Sequence, residues 1–364
     1  MARSDLLVAA LASLPNAGPA RLGRLLRERE PAEAWARVAE GAVPVEVAPA
    51  EVRREWRAHA ATVDLGRLGA ALRELGAVAT SWHDERHPPA LADDIDPAPV
   101  ALWRGSLPDA AQPCVAVVGT RRASAIGREF ARELGAGLSS AGVVVVSGLA
   151  LGVDGAAHRG ALLVGGAGPL AIVGSGLDVV YPQAHHELWH EVAERGGLLT
   201  EAPLGGEAAP WRFPARNRLI AAFAQLVVVV ESRAAGGSLL TVEQAARRGI
   251  DVMAVPGSVR NAAAAGTNQL LADGCAPVRD ADDVLVALGL GSSAIRVGRD
   301  RAAPPSRSVP DGTEHVWAAI DDGPTSVDEI VARTGRPVLE VAAAVELLVE
   351  SGHLVTDGAR VRPA

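Results

Sequence analysis

Five short runs of valine, isoleucine and leucine constrain this chain more than any other feature: residues 115–118, 143–146, 170–173, 226–230 and 252–255. They do not alternate with polar residues, so both faces of each strand must be covered. That is the pattern of parallel strands inside a layered α/β fold. Between the first two runs, Ile126, Phe130, Leu134 and Leu138 recur every four residues and mark one face of a helix. Strand, helix and strand in repetition predict an α/β domain, an extended Rossmann-like doubly wound parallel sheet over residues 66–290.

The flanks read differently. Residues 1–65 place Leu6, Leu7, Leu11, Leu14, Leu22 and Leu25 among short helical segments, an N-terminal helical domain. Residues 14–22 look like the hairpin of a SAM-like or helix-hairpin-helix unit, whose turn can present backbone N–H groups to phosphate. Nine arginines against nine acidic residues leave no basic face there, so packing is the better reading. Residues 291–310 form a linker, with Gly-Ser-Ser, a charged patch at 296–301 and then Pro304-Pro305-Ser306. Residues 311–364 read as a winged helix. Ser326 to Glu329 make a capping box, Pro337 opens a third helix and Asp357-Gly358 turns a hairpin.

Composition narrows the partners. The 364 residues are 49% hydrophobic and 21% charged, as in a soluble globular protein. All 35 basic side chains are arginine. The net charge of −8 argues against wrapping duplex DNA over a wide surface. Cys114 and Cys275 form no CxxC, so metal and disulfide frameworks lack support and a cytoplasmic location fits. The apolar run after Arg3 is interrupted too early by Asp5 to serve as a signal segment. No stretch reaches the ~20 apolar residues that span a membrane. GxGxxG does not follow the first strand, residues 174–179 lack the third glycine, and a P-loop needs a lysine the chain does not have. No cofactor is expected.

In an open α/β sheet, ligands bind beyond the carboxyl ends of the strands. There the chain places residues 119–124, 147–158, 174–176 and 231–238, all rich in glycine and small polar residues. Such loops let backbone N–H groups approach an anion. Residues 211–220 read Trp-Arg-Phe-Pro-Ala-Arg-Asn-Arg-Leu-Ile, and no acidic residue lies between Glu207 and Glu231. Arginines around Phe213 suit a groove for single-stranded nucleic acid, with the ring as a stacking platform. The same ring can instead pack beside Pro214. Asp154 and His158, four apart, can be an acid–base pair, but a hydrogen bond pinning the loop is the better reading. His185, His186 and His190 fit a solvated helix face better than a metal site. No serine lies in GxSxG and no nucleophile stands out, which points to a binder and not an enzyme.

Taken together, the motifs resemble the DNA-processing protein A family (DprA, also called Smf). The matching pieces are Val-Val-Gly-Thr-Arg at 117–121, Val-Ser-Gly-Leu-Ala-Leu-Gly-Val-Asp-Gly-Ala-Ala-His at 146–158 and Gly-Ser-Gly-Leu-Asp-Val-Val-Tyr-Pro at 174–182. Phe-Pro-Ala-Arg-Asn-Arg-Leu-Ile at 213–220, Gly-Ser-Leu-Leu-Thr at 237–241 and Val-Pro-Gly at 255–257 follow in order. The resemblance covers about residues 65–285 and extends to the three-part layout. It implies a core that dimerises, binds single-stranded DNA in a positive pocket, protects incoming DNA in natural transformation and helps load a RecA-type recombinase. It maps the pocket onto Arg121, Phe213, Arg216, Asn217 and Arg218. Ser147, Gly148, Gly174 and Ser238 would contact phosphate, and Arg122, Ser124 and Gly237 complete the candidate set. Family members often place a lysine in the pocket; this chain offers only arginine. The third helix of the winged unit carries Glu340, Glu346 and Glu350, and the unit has a net charge of −6. A protein contact through the recombinase, a second copy or the core is therefore expected of it, not duplex DNA. The alternative is a LOG-type phosphoribohydrolase, whose GGxGTxxE loop residues 236–243 faintly resemble; Leu239 and Leu240 replace its Gly and Thr.

Overall fold

The computed structural model describes residues 3–290, 310, 312–320, 325–351, 353–357 and 360–363. It falls into two compact units, Met1–Ser293 and Ala294–Ala364. The first unit begins with α1 (Arg3–Ala12), α2 (Pro19–Leu26), α3 (Pro31–Glu40), α4 (Ala50–Thr62) and α5 (Leu65–Leu75). Proline opens α2 and α3, where a missing N–H costs nothing. Gly41 and Gly76 close α3 and α5 at φ of 76° and 60°, a left-handed cap that suits glycine.

A nine-stranded sheet follows: β1 (Val78–Ser81), β2 (Val100–Gly105), β3 (Cys114–Val118), β4 (Val144–Ser147), β5 (Leu170–Ile172), β6 (Gly197–Thr200), β7 (Leu226–Val229), β8 (Asp251–Ala254) and β9 (Ala276–Pro277). Its order is β1-β2-β6-β5-β4-β3-β7-β8-β9. From β6 to β9 every pairing is parallel, and β1 and β2 add an antiparallel edge. The five apolar runs are β3, β4, β5, β7 and β8, as the sequence predicts. Between strands lie α6 (Pro89–Ala92), α7 (Ala125–Ser140), α8 (Val153–Leu163), α9 (His186–Arg195), α10 (Arg212–Phe223), α11 (Leu239–Arg248) and α12 (Ala265–Ala272). Helix α13 (Ala281–Ala287) follows the sheet.

Each central strand is covered on both faces. Along β3, Val115 and Val117 face the cluster built with α7 and α8, while Ala116 and Val118 face the one built with α10. Helices α7 and α8 touch backbone to backbone. A Cβ on Gly135 would lie 2.2 Å from the Ala157 carbonyl oxygen, and one on Gly160 would lie 1.9 Å from that of Arg132. The N-terminal helices are not a separate lobe. Leu11, Leu25, Leu26, Trp56 and Leu72 share one core with Val100, Leu102, Val173 and Leu198 of the sheet region. The boundary expected at residue 65 falls at the first residue of α5, capped by Asp64, inside this continuous core.

The second unit holds α14 (Glu314–Trp317), α15 (Val327–Thr334), α16 (Val338–Glu350) and a small sheet of β10 (Thr325–Ser326), β11 (Leu354–Asp357) and β12 (Arg360–Pro363), ordered β10-β12-β11. The capping box is present: Ser326 N–H donates to Glu329 Oε2 at 2.8 Å and Glu329 N–H to Ser326 Oγ at 3.3 Å. Val316, Ile330, Val341, Leu348, Leu354 and Val361 form its core. This is a winged helix. The linker expected at 291–310 lies outside the described residues except for Pro310, and so does Gly358 of the hairpin turn.

Candidate nucleic-acid interface

The winding of the sheet reverses at β3, with β4 to β6 on one side and β7 to β9 on the other. That reversal leaves a crevice at the carboxyl ends of β3 and β7. It holds a cavity of about 470 Å³ lined by Thr120, Arg121, Arg122, Asp154, Phe213, Arg216, Asn217, Arg233, Gly237 and Ser238 among others. Arg121, Arg122 and Arg233 are exposed, Phe213 and Asn217 half-buried. The Arg121 guanidinium carbon lies 4.5 Å from the centroid of the Phe213 ring, a cation–π distance. Phe213 also lies 5.3 Å from the ring of Tyr181. The ring therefore both packs and faces the cavity.

Arg216 forms the wall beneath this surface and is only 7% exposed. It donates from Nη1 to the carbonyl oxygen of Ile172. Its guanidinium fills the space that a Cβ on Gly148 would need, 1.8 Å from Nη1. Burial pushes its pKa down to about 10, opposed by Asp154 and reinforced by Arg121, so it stays charged at neutral pH. Asp154 accepts from the N–H groups of Gly148 at 3.1 Å and Ala150 at 3.4 Å. It pins the loop between β4 and α8. Burial raises its pKa, while Arg216 and the two N–H groups pull it down. His158 is fully buried, and burial pushes it down to about 3, which keeps it neutral.

The histidines after β5 do not gather. His185 donates from Nδ1 to the Leu149 carbonyl oxygen at 3.0 Å, holding a residue whose φ is +53°. His186 and His190 meet edge to face on α9, their ring centroids 4.7 Å apart. Among the described residues no three potential ligands come together for a metal ion.

Arg121, Arg122, Phe213, Arg216, Asn217, Gly237 and Ser238 share the cavity; five other candidates line it nowhere. Ser124 caps α7 and is tied to Glu231: its N–H donates to Oε2 at 2.8 Å, its hydroxyl to Oε1 at 2.7 Å. Ser147 is buried, and its hydroxyl donates to the Val117 carbonyl oxygen at 2.6 Å. The Gly148 N–H is taken by Asp154. Gly174 backs the Phe213 ring, 3.3 Å from where a Cβ would stand, and lines a second cleft. Arg218 is 6% exposed, donates to Glu201 Oε1 at 2.5 Å and to the Asp96 carbonyl oxygen at 2.7 Å. Two positions along a helix point to nearly opposite sides, so Arg216 and Arg218 cannot serve one groove. Arg218 is a core ion pair. The candidate set lacked Arg233, and its signal was visible: it follows β7 at the carboxyl edge. Thr120 carries no signal of its own.

The sequence model of the family described as DNA recombination-mediator protein A matches residues 79–289. The chain belongs to that family. A second match, to the DprA winged helix domain, covers residues 300–348. The DNA processing protein DprA of Mycobacterium tuberculosis is 36% identical over 348 residues, 92% of this chain and 87% of that protein. Protein Smf of Escherichia coli is 33% identical over 260 residues, 71% of this chain and 69% of its own length. The crystal structure of DprA from Streptococcus pneumoniae aligns with a TM-score of 0.63 at 28% identity, covering 79% of this chain and 98% of that one. A structure addressing the single-stranded DNA binding mode of DNA processing protein A from Helicobacter pylori aligns at 0.51 and 26% identity, covering 58% of this chain and 95% of that one. No helix among the described residues is long and apolar enough to cross a membrane.

Proposed function

We propose that this chain binds single-stranded DNA in the crevice between β3 and β7. The observation that carries the reading is the exposed Arg121 guanidinium 4.5 Å over the Phe213 ring, inside a cavity that Arg122 and Arg233 also line. Arginines beside an aromatic face serve the phosphates and the base of an unpaired strand. The Helicobacter pylori relative, studied for its single-stranded DNA binding, supports the assignment. Binding is preferred to catalysis because Asp154, though it lines the cavity, is spent on pinning a loop, and His158 is a neutral core histidine.

The family description as a recombination mediator supports a further step. The bound strand is incoming DNA in natural transformation, protected and handed to a RecA-type recombinase by a dimer built on the Rossmann-like core. The acidic winged helix then contacts protein.

Fluorescence anisotropy on a labelled oligonucleotide, single-stranded and duplex, across a salt series tests the pocket. Arg121→Glu is expected to weaken single-strand binding by at least about tenfold and to flatten the salt slope by about one unit or more. Equal binding of both DNA forms, or unchanged binding by the variant, refutes the reading.

A further inference from the structure

A second cleft of about 320 Å³ lies between the N-terminal hairpin and the start of α10. We propose that it is a second subsite for the same strand and takes one nucleobase, stacked on Trp211. The inference rests on the single-strand reading of the first cavity.

Continuity is the first reason. Arg216 lines both cavities, and Gly174, in the wall of the second, backs the Phe213 ring of the first. A strand whose base stacks at Phe213 can therefore continue along this wall. Arg216, which forms this shared wall, keeps a buried Nε without a hydrogen-bond partner.

Trp211 is the second. It is 61% exposed at the rim, with the Arg212 guanidinium 4.7 Å from its ring centroid. A large ring left in water beside a cation is a stacking platform waiting for a flat partner.

Lining chemistry selects the occupant. Leu14, Ala17, Leu22 and Leu219 give apolar walls, suited to the faces of a base. Glu201 also lines the cleft. Its Oε1 is held by Arg218, and its other oxygen can bond a base edge, while the backbone of the strand is placed at the rim beside Arg212. The volume, near the lower end of ligand pockets, is ample for one base.

The full-length chain is titrated with thymidine 5′-monophosphate and with an oligothymidylate of roughly 16 nucleotides, the short ligand able to fill only one site at a time. Trp211→Ala is expected to weaken the long oligonucleotide roughly five- to hundredfold, the usual range for losing one stacked base. The short ligand is expected to bind as before, and Trp211→Phe to restore the long one. Thermal unfolding should be unchanged, because the indole is exposed. If Trp211→Ala leaves the long oligonucleotide unaffected while Arg121→Glu abolishes its binding, the second subsite is wrong and the first stands. Equal weakening of both ligands also overturns it, placing Trp211 in the first site. If Arg121→Glu changes nothing with either ligand, the single-strand reading itself fails and takes the subsite with it.

Discussion

Replacement of Arg218 by methionine separates two readings of the basic stretch, because the structure gives this arginine to the core and the linear sequence gives it to DNA. Its side chain is 7% exposed and that of Glu201 is 15% exposed, with 2.5 Å between Nη2 and Oε1. Methionine keeps most of the packing volume and removes two close interactions, together with a longer, half-exposed ion pair from Nε to Asp96 Oδ2 at 3.8 Å that adds little. The charged hydrogen bond to the Asp96 carbonyl oxygen contributes about 2 kcal/mol. The remainder depends on Glu201. Burial pushes this carboxyl up to about 7 from its ordinary 4.5, even with Arg218 opposing. A carboxyl raised in the folded state favours the protonated form, so its ionisation costs stability as pH rises through that range and costs nothing below it. Without Arg218 the carboxyl rises further. The variant and the parent therefore diverge only above about pH 7, by about 1.4 kcal/mol per pH unit. The expected destabilisation is about 2 kcal/mol near pH 6 and about 4 kcal/mol near pH 8.5. Thermal unfolding at the two pH values reads this as a drop that roughly doubles, on a scale of about 2–4 °C per kcal/mol. Single-strand affinity of the folded variant should stay within about twofold of the parent, since no phosphate contact is lost. Lost binding with an unchanged melting temperature at both pH values would refute the assignment. A destabilisation independent of pH would refute the part played by Glu201.

Two further substitutions test the frame of the site. Gly148→Ala places a methyl 1.8 Å from Arg216 Nη1, so the guanidinium must leave the Ile172 carbonyl oxygen; the expected cost is about 2–4 kcal/mol in chemical unfolding, with single-strand affinity down about tenfold. Glu231→Gln keeps one acceptor for Ser124 and loses the other, and removes a negative charge from the N-terminus of α7; a loss of about 1–3 kcal/mol is expected, with faster amide exchange at residues 124–128.

The sequence by itself determined the layered fold. Five unbroken apolar runs have no stable place except between two helical layers, and they became β3, β4, β5, β7 and β8. The winged helix was equally legible, because a capping box and the bounds of a third helix are local signals. Strands β1 and β6 were hidden. Thr80, Ser81 and Thr200 lie buried in them, and their polarity breaks the apolar pattern. Partners elsewhere satisfy two of them: Thr80 bonds His87 Nδ1 at 3.0 Å, and Thr200 Oγ1 accepts from the Ala202 N–H at 2.9 Å.

Sequence reasoning grouped Arg121, Phe213, Arg216 and Asn217, and the four line one cavity: a glycine-rich strand end brings the first, the arginine-rich run of α10 the others. Helical periodicity alone would have set Phe213, Arg216 and Asn217 on one face and Arg218 on another, had residues 212–223 been read as a helix. No local signal could have paired Arg218 with Glu201 or tied Ser124 to Glu231, 107 residues away. Those choices belong to the tertiary structure. Whether an arginine faces DNA or the core depends on which acceptors the fold brings beside it, and buried carboxylates claim the nearest guanidinium before any ligand arrives.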